Sequence, residues 1–103
     1  MNEREKEEWY DVGLENFVLD FARNEDERQL CKYGHQSHPP ALWMLYLTEE
    51  AGELSEAIST YLYGRCADPL TALDHIRREA IQVATLALKM AQMAHREGVR
   101  RTP

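Results

Sequence analysis

The spacing of the hydrophobic residues predicts a chain made of α-helices. Apolar side chains recur every three or four residues, which is the period of an amphipathic helix, and no segment alternates as a β-strand would. This spacing gives two long apolar stripes. The first stripe is formed by Trp43, Tyr46, Leu47, Leu54, Ala57, Ile58 and Tyr61. The second stripe is formed by Ala72, Ile76, Val83, Leu86, Met90 and Met93. We therefore expect an all-α fold in which both stripes face the core of a helical bundle.

The N-terminal third of the chain is predicted to be helical up to Tyr33. Asn2 is a candidate N-cap. A second capping signal at Asn24 leaves two alternatives open, a single long helix with a bend or a break followed by a short helix. Gly13 weakens the continuity of the first part. Gly34 stands where a glycine C-cap is usual, so it is expected to end this segment.

Proline and capping residues mark the limits of the other two helices. The second helix is predicted from about Ala41 to about Tyr63, because two prolines precede it and a glycine follows it. Asp68 and Pro69 form the expected N-cap and first residue of the last helix. This helix is predicted to end near Arg96, shortly before another glycine.

Glutamates occupy positions on both stripes that a core residue would normally fill. Glu50 lies inside the first stripe with Glu53 one turn along, and on the second stripe Glu79 is followed at the same spacing by Gln82. Unpaired carboxylates are costly to bury, and no lysine or arginine lies on these stripes to neutralise them. Hard divalent cations accept such oxygen ligands, so we predict that these four residues bind Mg²⁺, with Mn²⁺ as a substitute. Gln82 can instead be a buried amide that forms hydrogen bonds across the helices.

Length, charge and cysteine usage limit the classes of function. The 103 residues form one domain, in which we expect residues 1–23 to be an N-terminal helical extension and residues 97–103 a short basic tail. A net charge of -6 leaves no basic face for nucleic acid. Cys31 and Cys66 lack the spacing of a zinc site and are expected to be free thiols in a reducing compartment. With no secretory start and no apolar run of ~18 residues, we expect a cytoplasmic protein that does not enter a membrane.

The last helix is apolar on nearly all sides between residues 80 and 94. Only Gln82, Thr85, Lys89 and Gln92 interrupt the apolar sequence there. A helix without a polar face is buried on several sides, and the rest of so short a chain cannot enclose it. We therefore predict that the protein is a homodimer or a homotetramer.

Several short motifs resemble those of a known family. They are Glu27-Arg28-Gln29 with Lys32-Tyr33-Gly34, His38-Pro39-Pro40 with Trp43, Glu49-Glu50-Ala51-Gly52-Glu53, and Glu79-Ala80-Ile81-Gln82-Val83-Ala84. Together they extend from about residue 25 to about residue 94. On these motifs the chain resembles the MazG-like group of all-α nucleoside triphosphate pyrophosphohydrolases.

The resemblance implies a helical bundle and a reaction that cleaves a nucleoside triphosphate between its α and β phosphates. The products would be a nucleoside monophosphate and pyrophosphate, in nucleotide-pool control or house-cleaning. By position, Glu50, Glu53 and Glu79 would bind Mg²⁺, and Gln82 stands where the family has an aspartate. Glu50 and Glu53 would act in catalysis with Glu49, which can be the base that orients the attacking water, a partner of the metal ligands or a surface residue.

Four residues are candidates for contact with the nucleotide. Lys32 and Lys89 suit the charge of a triphosphate, although lone basic residues on helices are usually solvated. His38 is a candidate phosphate contact, with helix capping or a backbone hydrogen bond as the simpler alternative. Trp43 can stack on a nucleobase, although core packing is the simpler interpretation.

Two hypotheses of different classes follow from these observations. The first is a Mg²⁺-dependent nucleoside triphosphate pyrophosphohydrolase. The second is a catalytically weak or inactive homologue that binds nucleotide or a protein partner. Gln82 separates the two hypotheses, because a neutral amide gives a metal less charge than an aspartate would.

Overall fold

The computed structural model describes residues 8–103, and every regular element in that range is an α-helix. The helices are α1 (Asn16–Tyr33), α2 (Pro40–Leu62) and α3 (Pro69–Arg101). The prediction of an all-α fold is therefore confirmed for the described residues. None of these helices combines the length and the apolarity that a membrane crossing requires.

Proline and a capping aspartate fix the starts of α2 and α3, as the sequence predicts. Pro40 opens α2, where its fixed φ suits the first turn and its missing N–H costs no helical hydrogen bond. At the start of α3, Asp68 accepts hydrogen bonds from Leu70 N at 3.1 Å and from Thr71 Oγ1 at 2.7 Å. The bond from Thr71, followed by that from Leu70, lowers the pKa of Asp68, so the carboxylate stays ionised while it caps the helix.

The last helix extends beyond its predicted end near Arg96. Glu97 pairs with Arg100, and it also pairs with Arg101, whose Nε lies 2.7 Å from Glu97 Oε1. Pairs at these spacings support a helix, and here they bridge the glycine that was expected to end it. The predicted end of the helix near Arg96 is therefore wrong, because the chain remains helical as far as Arg101, and most of the predicted basic tail over residues 97–103 belongs to α3.

The N-terminal segment also differs from its prediction. Residues 9–15 are not helical, and α1 begins only at Asn16, so the helical extension predicted over residues 1–23 is wrong in this part. Gly13 has a φ of 79°, which a right-handed helix does not accept. Its N–H donates a hydrogen bond to Asp11 Oδ1 at 2.8 Å, and this bond closes a turn instead.

Beyond this turn, α1 follows one of the two predicted alternatives. The helix continues without a break through Asn24, so the segment is one helix rather than two. Gly34 follows its last residue with a φ of 69° and donates its N–H to Leu30 O at 2.8 Å, which confirms the glycine end. The candidate cap Asn2 lies outside the described residues.

Helices α2 and α3 form an antiparallel pair around a small core. Ala57 of α2 and Ala72 of α3 are only 1% and 2% exposed, and they form the buried cluster with Tyr61 and Ile76. Because alanine has no side chain beyond Cβ, the two helices can approach closely here. Trp9 packs its ring against Tyr61, with 6.1 Å between the ring centroids, and so covers this end of the core.

Helix α1 packs against α3, and its backbone does not come close to that of α2. Thr85 Oγ1 of α3 is buried and lies 3.5 Å from the carbonyl oxygen of Ala22 in α1. Further along the same contact, Lys89 Nζ lies 2.7 Å from Asp26 Oδ1. The two shorter helices therefore lie on α3 without meeting each other, and a groove remains between them.

The chain is elongated and exposes much apolar surface. Its radius of gyration is 16.5 Å, whereas a compact domain of about 100 residues has a radius of gyration of about 13 Å. Several large apolar side chains are more than half exposed, namely Phe17, Met44, Leu45, Leu88 and Val99. A single copy of the chain therefore buries only part of its apolar surface.

We predict that Ala57→Leu destabilises the protein by about 1–3 kcal/mol, because the larger side chain overpacks the closest contact of α2 with α3. Ala51→Leu is the matched control, since Ala51 lies on the exposed side of the same helix. It should change the free energy of unfolding by less than about 0.5 kcal/mol. Urea denaturation in EDTA measures both variants, and equal stability of the two would contradict this packing.

Candidate functional site

Three glutamates converge where α2 meets α3. Glu50 and Glu53 lie one turn apart on α2, Glu79 lies on α3, and one carboxylate oxygen of each is within 4.8 Å of the other two. Their helical spacing predicts that both helices direct oxygen atoms at a shared face, and the structure brings these three side chains together. We call Glu50, Glu53 and Glu79 the acidic cluster.

Gln82 joins this cluster through its amide group. With the nitrogen turned towards the carboxylates, its Nε2 donates to Glu50 Oε2 at 3.0 Å and to Glu79 Oε2 at 3.3 Å. The opposite orientation would face the amide oxygen towards carboxylate oxygens, which repel it. Gln82 therefore lies beside the cluster, and in the orientation that satisfies its amide group it is a hydrogen-bond donor that links α3 to α2.

Burial and mutual repulsion oppose the ionisation of the acidic cluster. Partial burial raises the pKa of Glu50, and the neighbouring charges of Glu53 and Glu79 raise it further. Glu53 is exposed, so the expectation that it fills a core position is wrong, and its pKa is raised by a small loss of solvation and by its proximity to Glu79. The cluster thus stores unfavourable electrostatic energy when all three groups are ionised.

Cationic side chains do little to neutralise the cluster. Arg28, the arginine on the facing side of α1, pairs with Glu25 at 2.6 Å. His75 Nε2 lies 3.3 Å from Glu79 Oε1 at the edge of the cluster. Within residues 8–103, no lysine or arginine forms an ion pair with the acidic cluster. Three converging carboxylates without a fixed counter-charge are a donor set that suits a hard divalent cation such as Mg²⁺ or Mn²⁺.

A groove of about 950 Å³ lies beside the cluster, between α1 and α2. Glu50 and Gln82 line it on one side, and Leu86 and Met93 of α3 lie further along it. Glu49 is exposed and also lines the groove, so this side chain is in a position to contact a bound molecule or its water. The volume is in the range of small-molecule sites.

The lysines predicted for substrate contact have different positions. Lys89 lines the groove, but its Nζ is held by Asp26 Oδ1 at 2.7 Å and by Gln29 Oε1 at 2.9 Å. Lys32 is not part of the lining, and its Nζ lies over the ring of Tyr33, 5.1 Å from the centroid. Of the two, only Lys89 is placed to meet a ligand in the groove.

Arginines supply the rest of the positive charge in the groove. Arg28, Arg23 and Arg96 line the groove. The last two are not predicted from the sequence to contact a ligand. Arg96 lies two turns after Lys89 on the same face of α3, so helical spacing could have indicated it. The position of Arg23 depends on how α1 packs against α3, and no local pattern signals it.

Three aromatic rings cluster at the start of α2. His38 packs edge-to-face against Trp43 at 4.9 Å and against Tyr46 at 5.4 Å, and the latter two rings are 6.0 Å apart. Trp43 and Tyr46 line the groove, whereas His38 supports these rings and is not part of the lining. Trp43 therefore packs within the fold and also presents surface to the groove, and its stacking on a nucleobase stays a prediction.

Comparison of the chain with protein-family models, with curated proteins and with solved structures finds no match.

We predict that Glu50→Gln raises the melting temperature of the metal-free protein at pH 7 by a few degrees. Because the folded-state pKa of Glu50 is raised, the folded protein binds more protons than the unfolded chain between the two pKa values, and stability falls as pH rises through that range. The amide cannot ionise, so it avoids this loss while still accepting the hydrogen bond from Gln82.

The gain in melting temperature from Glu50→Gln should disappear as the pH is lowered to about 4, near the ordinary pKa of glutamate. Thermal melts in EDTA at both pH values provide the measurement. Glu49→Gln, at the exposed neighbouring position, is the control and should change the melting temperature at pH 7 much less than Glu50→Gln does, because its charge is a minor cause of the raised pKa of Glu50. A lower melting temperature of Glu50→Gln at pH 7 would show that the Glu50 charge is stabilising after all.

Proposed function

We propose that this protein is a Mg²⁺-dependent nucleoside triphosphate pyrophosphohydrolase that uses the acidic cluster as its metal site. The observation that carries the proposal is the position of the three carboxylates beside an open groove that also contains basic and aromatic side chains. A nucleoside triphosphate would fit all three kinds of group, since its phosphates bind metal ions and cationic side chains and its base offers a flat π surface to an aromatic ring. The resemblance of the motifs to MazG-like enzymes supports the same reaction.

In this proposal each group in the groove has a defined task. Glu50, Glu53 and Glu79 hold the metal ion, which when bound neutralises phosphate charge and lowers the pKa of the attacking water. Glu49 accepts a proton from that water through its exposed carboxylate. The water oxygen bonds to phosphorus as the P–O bond bridging the α and β phosphates breaks, and the bridging oxygen leaves with the electron pair. The products are a nucleoside monophosphate and pyrophosphate.

The other substrate contacts follow from the lining of the groove. Lys89 meets the phosphates if it exchanges Asp26 for a phosphate oxygen, and Arg28 and Arg96 add charge nearby. Trp43 offers its ring to the nucleobase, with His38 holding that ring in place. Lys32 has no task in this arrangement.

Gln82 favours a second candidate function, a catalytically weak or inactive homologue that binds nucleotide or a protein partner. Its amide donates to two of the proposed metal ligands and brings no negative charge of its own. Metal affinity should therefore be lower than with a fourth carboxylate. The groove and its aromatic and basic lining would still suit a nucleotide.

We predict that the purified protein releases pyrophosphate from at least one nucleoside triphosphate when Mg²⁺ is supplied. A panel of the standard triphosphates and several modified ones identifies the base and the sugar. Glu53→Gln should lower the rate by at least about a hundredfold, since loss of groups that only support a metal ligand already costs about 10–100-fold. Glu56→Gln, on an exposed position one turn further along α2, is the matched control and should keep the activity.

Melting temperatures measured with and without Mg²⁺ separate the two candidate functions. A rise with Mg²⁺ that Glu53→Gln abolishes, without pyrophosphate release from any triphosphate, would favour the inactive homologue. No rise and no release would contradict both the metal site and the enzyme.

We also propose that the protein assembles as a homodimer or homotetramer through α3. The apolar side chains left exposed in one copy support this proposal. Ala80, Ala84, Ala87, Ala91 and Ala94 follow a heptad spacing on α3, and the last three are exposed. Small residues at such positions let two helices pack closely. A two-fold axis would pair this alanine stripe with the same stripe on a second copy of the chain.

Light scattering at micromolar concentration should give at least twice the chain mass of 12.0 kDa. Ala91→Glu places a charge on the alanine stripe and should shift the protein towards the monomer. Ala51→Glu, on the exposed side of α2, is the control and should leave the mass unchanged. A monomer mass for the unmodified chain would refute the assembly, and an unchanged mass for Ala91→Glu would place the interface elsewhere.

A further inference from the structure

We propose that Gln82 is a positioning residue that holds the acidic cluster together in the metal-free protein, by donating both amide hydrogens to carboxylates on two different helices. In the amide orientation that avoids placing oxygen against oxygen, its Nε2 lies 3.0 Å from Glu50 Oε2 on α2 and 3.3 Å from Glu79 Oε2 on its own helix. An amide nitrogen carries two hydrogens, so both are used. Gln82 is half-buried, where hydrogen bonds to charged groups are stronger than at the open surface.

The packing around the cluster favours this link. The buried residues of α2 are Ala57 and Tyr61, and both lie on the C-terminal side of Glu53. At the level of the cluster itself, the apolar side chains of α2 are only partly buried, among them Leu54, which packs against the core. What meets there is carboxylate against carboxylate, an arrangement that pushes the helices apart. Gln82 supplies the attraction that opposes this repulsion.

The neutral charge of Gln82 is essential to the role. A carboxylate at position 82 would add repulsion in the metal-free state, and a lysine would permanently offset one of the negative charges that a divalent cation would otherwise meet. A glutamine satisfies two carboxylates and leaves the net charge of the cluster unchanged. The three glutamates are therefore held near each other while they remain able to receive a divalent cation.

The first half of this inference, the metal-free role, stands on the hydrogen-bond geometry alone. The second half, that the held carboxylates receive a metal ion, rests on the proposed function. Two measurements on the same variants separate them, namely the melting temperature in EDTA and the further rise in melting temperature when Mn²⁺ replaces EDTA.

The test compares Gln82→Met, Gln82→Lys and the control Gln92→Met in the full chain. Methionine has a similar length and cannot donate, so Gln82→Met should melt at least about 5 °C lower in EDTA than the unmodified protein. Lysine restores a donor at the same place, so Gln82→Lys should melt no lower than the unmodified protein, and Mn²⁺ should no longer raise its melting temperature. Gln92 is an exposed glutamine of the same helix, so Gln92→Met should change neither measurement by more than about 1 °C.

The outcomes are distinct. The positioning role is overturned if Gln82→Met has the same melting temperature as Gln92→Met. It is also overturned if Gln82→Lys melts at as low a temperature as Gln82→Met, since the loss of stability would then come from packing. Gln82→Lys keeps the test valid even if Gln82→Met does not fold, because it is expected to fold and to melt no lower than the unmodified protein. If the variants behave as expected in EDTA and Mn²⁺ has no effect on the unmodified protein, the positioning role holds and the metal site fails.

Discussion

The contact between α2 and α3 is the interaction on which the rest of the structure depends. At one end two alanines, Ala57 and Ala72, bring the helices close enough to bury Ile76 between them. Helices that pair closely at one end are also held near each other two turns further on. There the residues that meet are Glu50 and Glu79 rather than apolar side chains. The small apolar core therefore brings together a group of charges that could not associate unaided.

These charges are a place where the fold departs from simple apolar patterning. A leucine at Glu50 or Glu79 would extend the core and stabilise the pair of helices. The chain instead has carboxylates whose ionisation is opposed by burial and repulsion, with Gln82 as a neutral partner. Proteins commonly give up stability at sites that must bind something. The contact of α2 with α3 is therefore weakest at the acidic cluster, which lies beside the groove.

The sequence allows the local features to be predicted better than the arrangement of the helices. Pro40 and Asp68 act through their own backbone and side chain, so the starts of α2 and α3 can be predicted from single residues. The spacing of Glu50, Glu53 and Glu79 fixes their faces on two neighbouring helices, which is why their meeting is predictable. The apolar spacing of residues 9–15 suggests a helix, but the turn at Gly13 takes precedence and their side chains remain mostly exposed. Likewise, the groove depends on the distance between α1 and α2, which no local pattern encodes.

The attachment of α1 then determines how wide the groove is. Besides the contact of Ala22 with Thr85, α1 is joined to α3 by Lys89, which bonds to Asp26 and Gln29, and these contacts are mostly polar. Lys89 also lines the groove, so one ammonium group both holds its wall and faces its interior. An anion that draws Lys89 away from Asp26 must offset the loss of this salt bridge, so anion binding and the attachment of α1 oppose each other by the same coupling free energy. In the proposed function, binding of a polyanion and the position of α1 would therefore be coupled through this side chain, and the affinity would depend on the strength of a salt bridge outside the acidic cluster.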